Sequence, residues 1–168
     1  MRNARISAIR IIFVDLYFMQ IQIKRIDQTL PLPRYETKGA VAFDMLARTP
    51  ITVVPKSIAL IPANIIVLTP PGFMLLIASR SSLPIKKGLI VSNGIGVIDQ
   101  DFCGPEDEIK IQVYNIGDAP VQIERGERIA QGIFVKIEQA EWRETNEISE
   151  KSRGGFGSTG GYTKKPQT

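Results

Sequence analysis

Residues 19–137 contain no run of ten or more positions with helical apolar periodicity that escapes a proline or glycine. Proline removes a backbone donor and clashes with the preceding turn, and glycine weakens a helix interior, so long helices are excluded. What is left is a series of short β-branched runs. Ile21 and Ile23 alternate with Gln22 and Lys24, and runs at 51–54, 57–61 and 65–68 are cut off by Pro55, Pro62 and Pro70. Further runs follow at 73–78, 89–91, 121–123 and 129–137, and Ile109, Ile111 and Val113 alternate with Lys110, Gln112 and Tyr114. Leu30-Pro31-Leu32-Pro33 is barred from any central strand by its missing donors. Many short strands at even spacing predict an all-β sandwich or closed barrel, with one short helical turn near Arg80 to Leu83. The 168 residues suit a single domain with a sizeable core.

Both ends read differently from this middle. Residues 8–18 are apolar apart from Arg10 and Asp15, too short and too charged to span a bilayer. Tyr17-Phe18-Met19-Gln20 offers no small-residue cleavage site. With a clean strand pattern starting at Met19, residues 1–18 read as an upstream extension, the alternative being an extra edge strand over 9–18. From Glu138 the composition turns charged and then glycine-rich, R-G-G-F-G-S-T-G-G-Y-T-K-K, a tail without core residues. The division expected is an extension over 1–18, a barrel over 19–140 and a flexible tail over 141–168.

Composition narrows the chemistry. The chain has no histidine and one cysteine, Cys103. Ser-His and Cys-His catalysis, ordinary zinc sites and internal disulfides are therefore excluded, and any general base must be a carboxylate or a lysine. One cysteine also fits a reducing compartment. The net charge of +4 permits a polyanionic partner without demanding one.

Carboxylates concentrate in one conspicuous place. In I-V-S-N-G-I-G-V-I-D-Q-D-F-C-G from Ile90, Asn93-Gly94 is turn chemistry, and the apolar Gly96-Val97-Ile98 leads to Asp99 and Asp101. The pattern predicts a β-hairpin with two carboxylates near its tip, both on one face if the backbone stays extended. Four other segments join it. G-A-V-A-F-D-M (39–45) sets Asp44 among small residues at a loop-to-strand turn. A-S-R-S-S-L-P (78–84) groups Arg80 with Ser79, Ser81 and Ser82, an anion-binding set or a helix start capped by Ser79. In R-G-E-R-I-A-Q-G-I-F (125–134), Gln131 falls in phase with Ile129, Ile133 and Val135, so its amide needs either an internal partner or a ligand. R-G-G-F-G-S-T-G (153–160) embeds an aromatic and two hydroxyls in glycine, which would suit a lid that stacks on a base.

Taken together, the five segments resemble the homotrimeric dUTP diphosphatases, the dUTPases. A-F-D-M and S-R-S-S-L look like that family's first and second motifs; G-V-I-D-Q-D-F, R-G-E-R-I-A-Q and G-G-F-G-S-T-G look like its third, fourth and fifth. The resemblance implies a jelly-roll-like β-barrel, assembled as a homotrimer whose three sites are shared between subunits. It implies a cytoplasmic enzyme that cleaves dUTP to dUMP and pyrophosphate, keeping uracil out of DNA and supplying dUMP for dTMP synthesis. Mg²⁺ would bridge the triphosphate while water attacks the α-phosphorus. Asp99 would activate that water. Asn93 and the backbone of Gly96, Val97 and Ile98 would read uracil, and Phe102 would stack on the deoxyribose. Arg80, Ser81, Ser82 and Gln131 would hold phosphates. Phe156 and Gly157 would close over the base, with Ser158, Thr159 and Arg153 on the terminal phosphates, and Asp44 would act through the metal's water shell.

Three departures from the family pattern stand out. Phe102 replaces the usual Tyr, Pro105-Glu106-Asp107 lengthens the following loop, and Lys151 holds the place usual for the tail arginine, leaving it and Arg153 as alternative clamps. The related dCTP deaminases carry a catalytic Glu in a strand where this chain has Gln112, which cannot shuttle a proton as Glu does. A nucleic-acid-binding barrel would interleave aromatics with basic residues along a strand face, and no strand here does so. Neither a nucleic acid nor a membrane is an expected partner.

Overall fold

The computed structural model describes residues 19–155. The chain divides into two units, one reaching Ile137 and one beginning at Glu138. The described part of the second unit has no strand or helix.

Among the described residues of the first unit, eleven strands form four antiparallel sheets, accompanied by one short helix. β1 (Gln22–Arg25) pairs with β5 (Ile65–Leu68), and β3 (Ile51–Val53) pairs with β10 (Val121–Ile123). β4 (Ile58–Pro62), β9 (Lys110–Asn115) and β7 (Leu89–Val91) form a three-stranded sheet with β9 central. The fourth sheet runs β2 (Phe43–Leu46), β11 (Arg128–Lys136), β6 (Phe73–Ser79), β8 (Ile95–Ile98). The result is the all-β, jelly-roll-like barrel, and its helix α1 (Leu83–Lys87) is little more than one turn. Gly88 ends α1 in the left-handed region at φ 62°, its N–H donating to the Pro84 carbonyl.

The core follows the alternation. Ile111 and Val113 of β9 are buried while Lys110 faces out, and Leu75 and Ile77 of β6 meet Met45, Ile61, Val91 and Ile129 inside. Each fully buried Leu or Ile contributes about 1.5–3 kcal/mol, which explains why the strand registers are well specified. At its opening end the barrel is pinned by a polar cluster. Arg48 donates two hydrogen bonds to Glu108 (2.7 and 2.8 Å), and Glu108 also accepts from the Asn64 backbone (2.9 Å).

Two sequence expectations need correction. Residues 90–115 are not one hairpin: β7 pairs with β9 in one sheet, whereas β8 pairs with β6 in another. The Asn93-Gly94 turn is present, with Gly94 at φ 74°, but it carries the chain between sheets instead of folding a strand back on its neighbour. Second, the helical turn starts later than 80–83, and Ser79 is not its cap. Ser79 closes β6, and Ser82 occupies the N-cap position without a side-chain cap bond.

Candidate active site

β8 lies along β6 with Ala78 opposite Ile95 and Leu75 opposite Ile98. Gly96 between them is buried, and a Cβ there would stand 3.1 Å from the Ile77 Cβ, so close packing on β6 accounts for the glycine. Val97 is exposed and Ile98 half-buried. Beyond Ile98 the backbone leaves the ladder: the Phe102 N–H reaches the Asp99 carbonyl and the Cys103 N–H the Asp101 carbonyl, making a turn. The two carboxylates therefore do not share a strand face. Asp99, Asp101 and Phe102 are all exposed. Neither a hydrogen bond nor an ion pair engages the Asp99 carboxylate among the described residues. The insert after this turn closes on itself, since Asp107 accepts the Gly104 N–H at 2.6 Å.

At the opposite end of β6 a charged cluster forms across three strands. Asp44 of β2 is hidden to 14% exposure, with one oxygen 2.9 Å from the Arg80 Nε and the other 3.1 Å from an Arg128 nitrogen. Arg80 also donates to the Arg128 carbonyl (3.3 Å), and Arg128 reaches Glu36 at 3.5 Å. The Arg34 hydrogen bond foremost, with Arg128 and Arg80 nearby, lowers the Glu36 carboxyl below its ordinary value. Gln131, opposite both Asp44 and Ala78, donates to the Ser79 carbonyl at 3.0 Å. The Ser79 hydroxyl is buried without a partner, a polar orphan within this cluster. Ser81 is exposed and Ser82 half-buried.

The predicted phase of Gln131 holds with Ile133 and Val135 but not with Ile129, which a bulge sets apart. Register shifts between Arg128 and Ala130, so Ile129 and Ala130 are both buried and the alternation resumes one residue later. Gln131 then lies beside the half-buried Ile133 and Val135, off the core face, with its amide satisfied internally. Arg128 and Glu36, which sequence reading did not single out, belong to the cluster. Only the R-G-E-R spelling beside Gln131 pointed toward the first, and nothing pointed toward the second.

The structure thus brings together Asp44, Arg80 and Gln131, with Ser81 and Ser82 following on in the chain. It does not bring Asp99 to them. From Leu75, opposite Ile98, to Arg80 the chain advances five residues, about 16 Å of strand. Arg80 moreover leans across β11 to Asp44 on β2, away from β8. Asn93 sits at the Arg80 end of β8 and Asp99 at the other, so the two frame about 10 Å of strand. Lys151 and Arg153 are exposed in the second unit, and Phe156, Gly157, Ser158 and Thr159 lie outside the described residues.

Two open clefts, of about 280 and 370 Å³, flank β1 and are lined by residues such as Ile23, Lys24 and Leu32. Neither includes a candidate site residue. Among the described residues no group of three or more Asp, Glu, His or Cys side chains could cage a metal, and no helix is long and apolar enough to cross a membrane.

The family model described as dUTPase matches residues 28–160. A deoxyuridine 5'-triphosphate nucleotidohydrolase of Rickettsia prowazekii is 40% identical over 147 residues, covering 84% of this chain and 97% of the relative. The crystal structure of a dUTPase from Streptococcus mutans superposes with a TM-score of 0.66 at 31% identity, over 71% of this chain and 98% of that one. The dUTPase of Staphylococcus bacteriophage 80alpha with dUPNHPP gives a TM-score of 0.74 at 25% identity, over 84% and 98%. With four-fifths of its length inside the family match and a relative 40% identical over most of both chains, the chain belongs to the dUTPase family.

Proposed function

We propose that the protein hydrolyses dUTP to dUMP and pyrophosphate at sites completed between copies of the chain. One observation carries the shared site: Asp99 and the Arg80 cluster occupy opposite ends of β6 in a single chain. A base that activates water at a phosphorus and the groups that hold the same triphosphate must lie within a few ångströms of each other. Two ends of one strand about 16 Å apart cannot do this. A second copy presenting its Arg80 end to the first copy's Asp99 end can, and a closed homotrimer repeats that head-to-tail contact until the ring is complete.

In this reading the nucleoside lies along β8. Asn93 and the backbone of Gly96, Val97 and Ile98 pair with uracil, and the exposed Phe102 ring covers the deoxyribose. Asp99 takes a proton from water as the water oxygen forms its bond to the α-phosphorus and the bond to the bridging oxygen of pyrophosphate breaks. Asp fits this role because a chain without histidine leaves a carboxylate or a lysine as its base. Arg80, Ser81, Ser82 and Gln131 of a neighbouring copy hold the phosphates, offsetting charge that builds on the leaving group. The tail, residues 141–168 beyond a barrel of 19–140, supplies a lid. Phe156 and Gly157 cover the base, Ser158 and Thr159 bind terminal phosphates, and Arg153 clamps the last, being a better fork than Lys151.

Mg²⁺ fits this donor set as a passenger on the triphosphate. It commonly keeps several waters and needs only one or two carboxylates besides phosphate. Asp44, whose oxygens each retain a lone pair beyond the Arg80 and Arg128 contacts, is the residue that would accept from its water shell. The ion would supply charge neutralisation of the triphosphate. A cytoplasmic location, beside the deoxynucleotide pool, belongs to the same proposal.

The test is pyrophosphate release from a panel of deoxynucleoside triphosphates, run in parallel on the Asp99→Asn variant. We expect cleavage of dUTP, discrimination against dCTP of roughly 10⁴-fold, and no ammonia from dCTP. Asp99→Asn is expected to lower turnover by about 10²–10⁴-fold while nucleotide binding persists. Ammonia release from dCTP would refute the activity. A fully active Asp99→Asn protein beside an inactive Asp101→Asn would identify the other carboxylate as the base.

A further inference from the structure

Among the described residues none hydrogen-bonds the Asp99 carboxylate, so its position there depends on the backbone that carries it. On one side that backbone is fixed by the β6–β8 ladder, whose last pair is Leu75 with Ile98. One step further the register would set Met74 opposite Asp99, and then Phe73 opposite Gln100. The main chain does not continue that far, because the turn at Asp99–Phe102 lifts it off the sheet. The side chain of Gln100 does continue: its Nε2 donates to the Phe73 carbonyl at 3.0 Å, in half-buried surroundings. Phe73 uses its other edge to pair with Lys136 on β11, so it is itself part of a three-strand ladder.

We propose that Gln100 is the positioning residue for the catalytic carboxylate, its amide standing in for the ladder bond that the turn gives up. Asp99 is thereby pinned between two attachments to β6: the Ile98 backbone before it and the Gln100 amide after it. The adjoining loop needs no help from Gln100 to stay closed, since Asp107 caps Gly104 and Glu108 is held by Arg48 and Asn64. Loss of the amide therefore frees the one residue whose placement decides the rate, without opening the barrel. The proposal rests on the reading of Asp99 as the base.

Gln100→Met keeps the length of the side chain and removes its donor. Gln100→Glu, ionised at neutral pH, does the same with polarity retained and serves if the methionine variant does not fold. A misplacement of the order of 1 Å can cost about 10²-fold, and one lost hydrogen bond leaves the turn partly ordered, so we expect kcat on dUTP to fall about tenfold. KM for dUTP and the melting temperature should stay close to the parent values. The deciding measurement adds the same substitution to Asp99→Asn. A residue acting through Asp99 has nothing left to position there, so the tenfold loss should vanish in the double variant. A kcat within twofold of the parent, or an equal loss with and without Asp99, overturns the tether. Full activity in Asp99→Asn alone overturns the reading of Asp99, and the tether with it.

Discussion

Gly132 shows how a single position can couple core and site. It stands opposite Phe43 on β2, and a Cβ there would fall 2.5 Å from the Phe43 ring. That ring is buried and also meets Tyr35 edge-on and Phe134 at a tilt, so it has little room to yield. Gly132→Ala is expected to destabilise by about 1–3 kcal/mol, read as a lower melting temperature. Adding Phe43→Leu should recover part of the loss. If the double variant melts below both singles, the clash is not what the glycine avoids. At this scale the sequence was legible where a residue's role is local. The alternation of β9 could be read from neighbours in the chain. The contacts of Glu36 with Arg128, Arg128 with Asp44 and Glu108 with Arg48 could not, because the partners lie far apart in the chain and a solvated charge and a paired one are spelled alike. Ile129 falls out of phase with Gln131 for another reason: a sequence pattern reads as one continuous strand, and the bulge between them breaks it.

Short elements carry their own electrostatics, and the turn after β1 is the clearest case. Asp27 accepts from the Thr29 hydroxyl (2.6 Å) and backbone N–H (2.9 Å) and from Arg125 (2.6 Å). The Thr29 hydroxyl first, then Arg125, hold its carboxyl far below the usual range. A carboxyl depressed in the folded state favours folding above its ordinary value of about 3.9 and loses that contribution as pH falls through the folded value. Asp27→Asn should thus lower the melting temperature most near neutral pH, with the gap narrowing below about pH 4. A gap constant from pH 7 to pH 3 would mean that the charge is not what holds the turn. Element boundaries were legible almost everywhere that proline or glycine marks them. The expected hairpin failed because strand existence is a local property and strand pairing is not: the same Asn93-Gly94 turn serves a hairpin or a crossing between sheets.

At the scale of the whole molecule, the all-β class followed from strand spacing and the jelly-roll-like barrel from the family resemblance, but the split of Asp99 and Arg80 to opposite ends of β6 is invisible until the strands are laid side by side. The split makes a prediction about mixtures. Removing residues after Glu150 deletes no apolar periodic segment, so the barrel should keep its melting temperature while activity collapses for want of the proposed lid. Refolding that truncated protein together with Asp99→Asn should restore activity, because an intact Asp99 and an intact tail then meet from different chains. Hybrid trimers confirmed by mass yet no more active than either parent would place the tail and Asp99 in the same subunit's site. The Asp44 cluster has a further consequence, for what the protein ignores. Arg34, Arg80 and Arg128 face Asp44 and Glu36, so most of the positive charge at this end of β6 is already paired. A stray inorganic phosphate gains a guanidinium there only by parting it from a carboxylate already bonded to it. In the proposed reading, a nucleotide whose base and sugar are gripped elsewhere would bring enough other contacts to make that exchange, and a small anion alone would not.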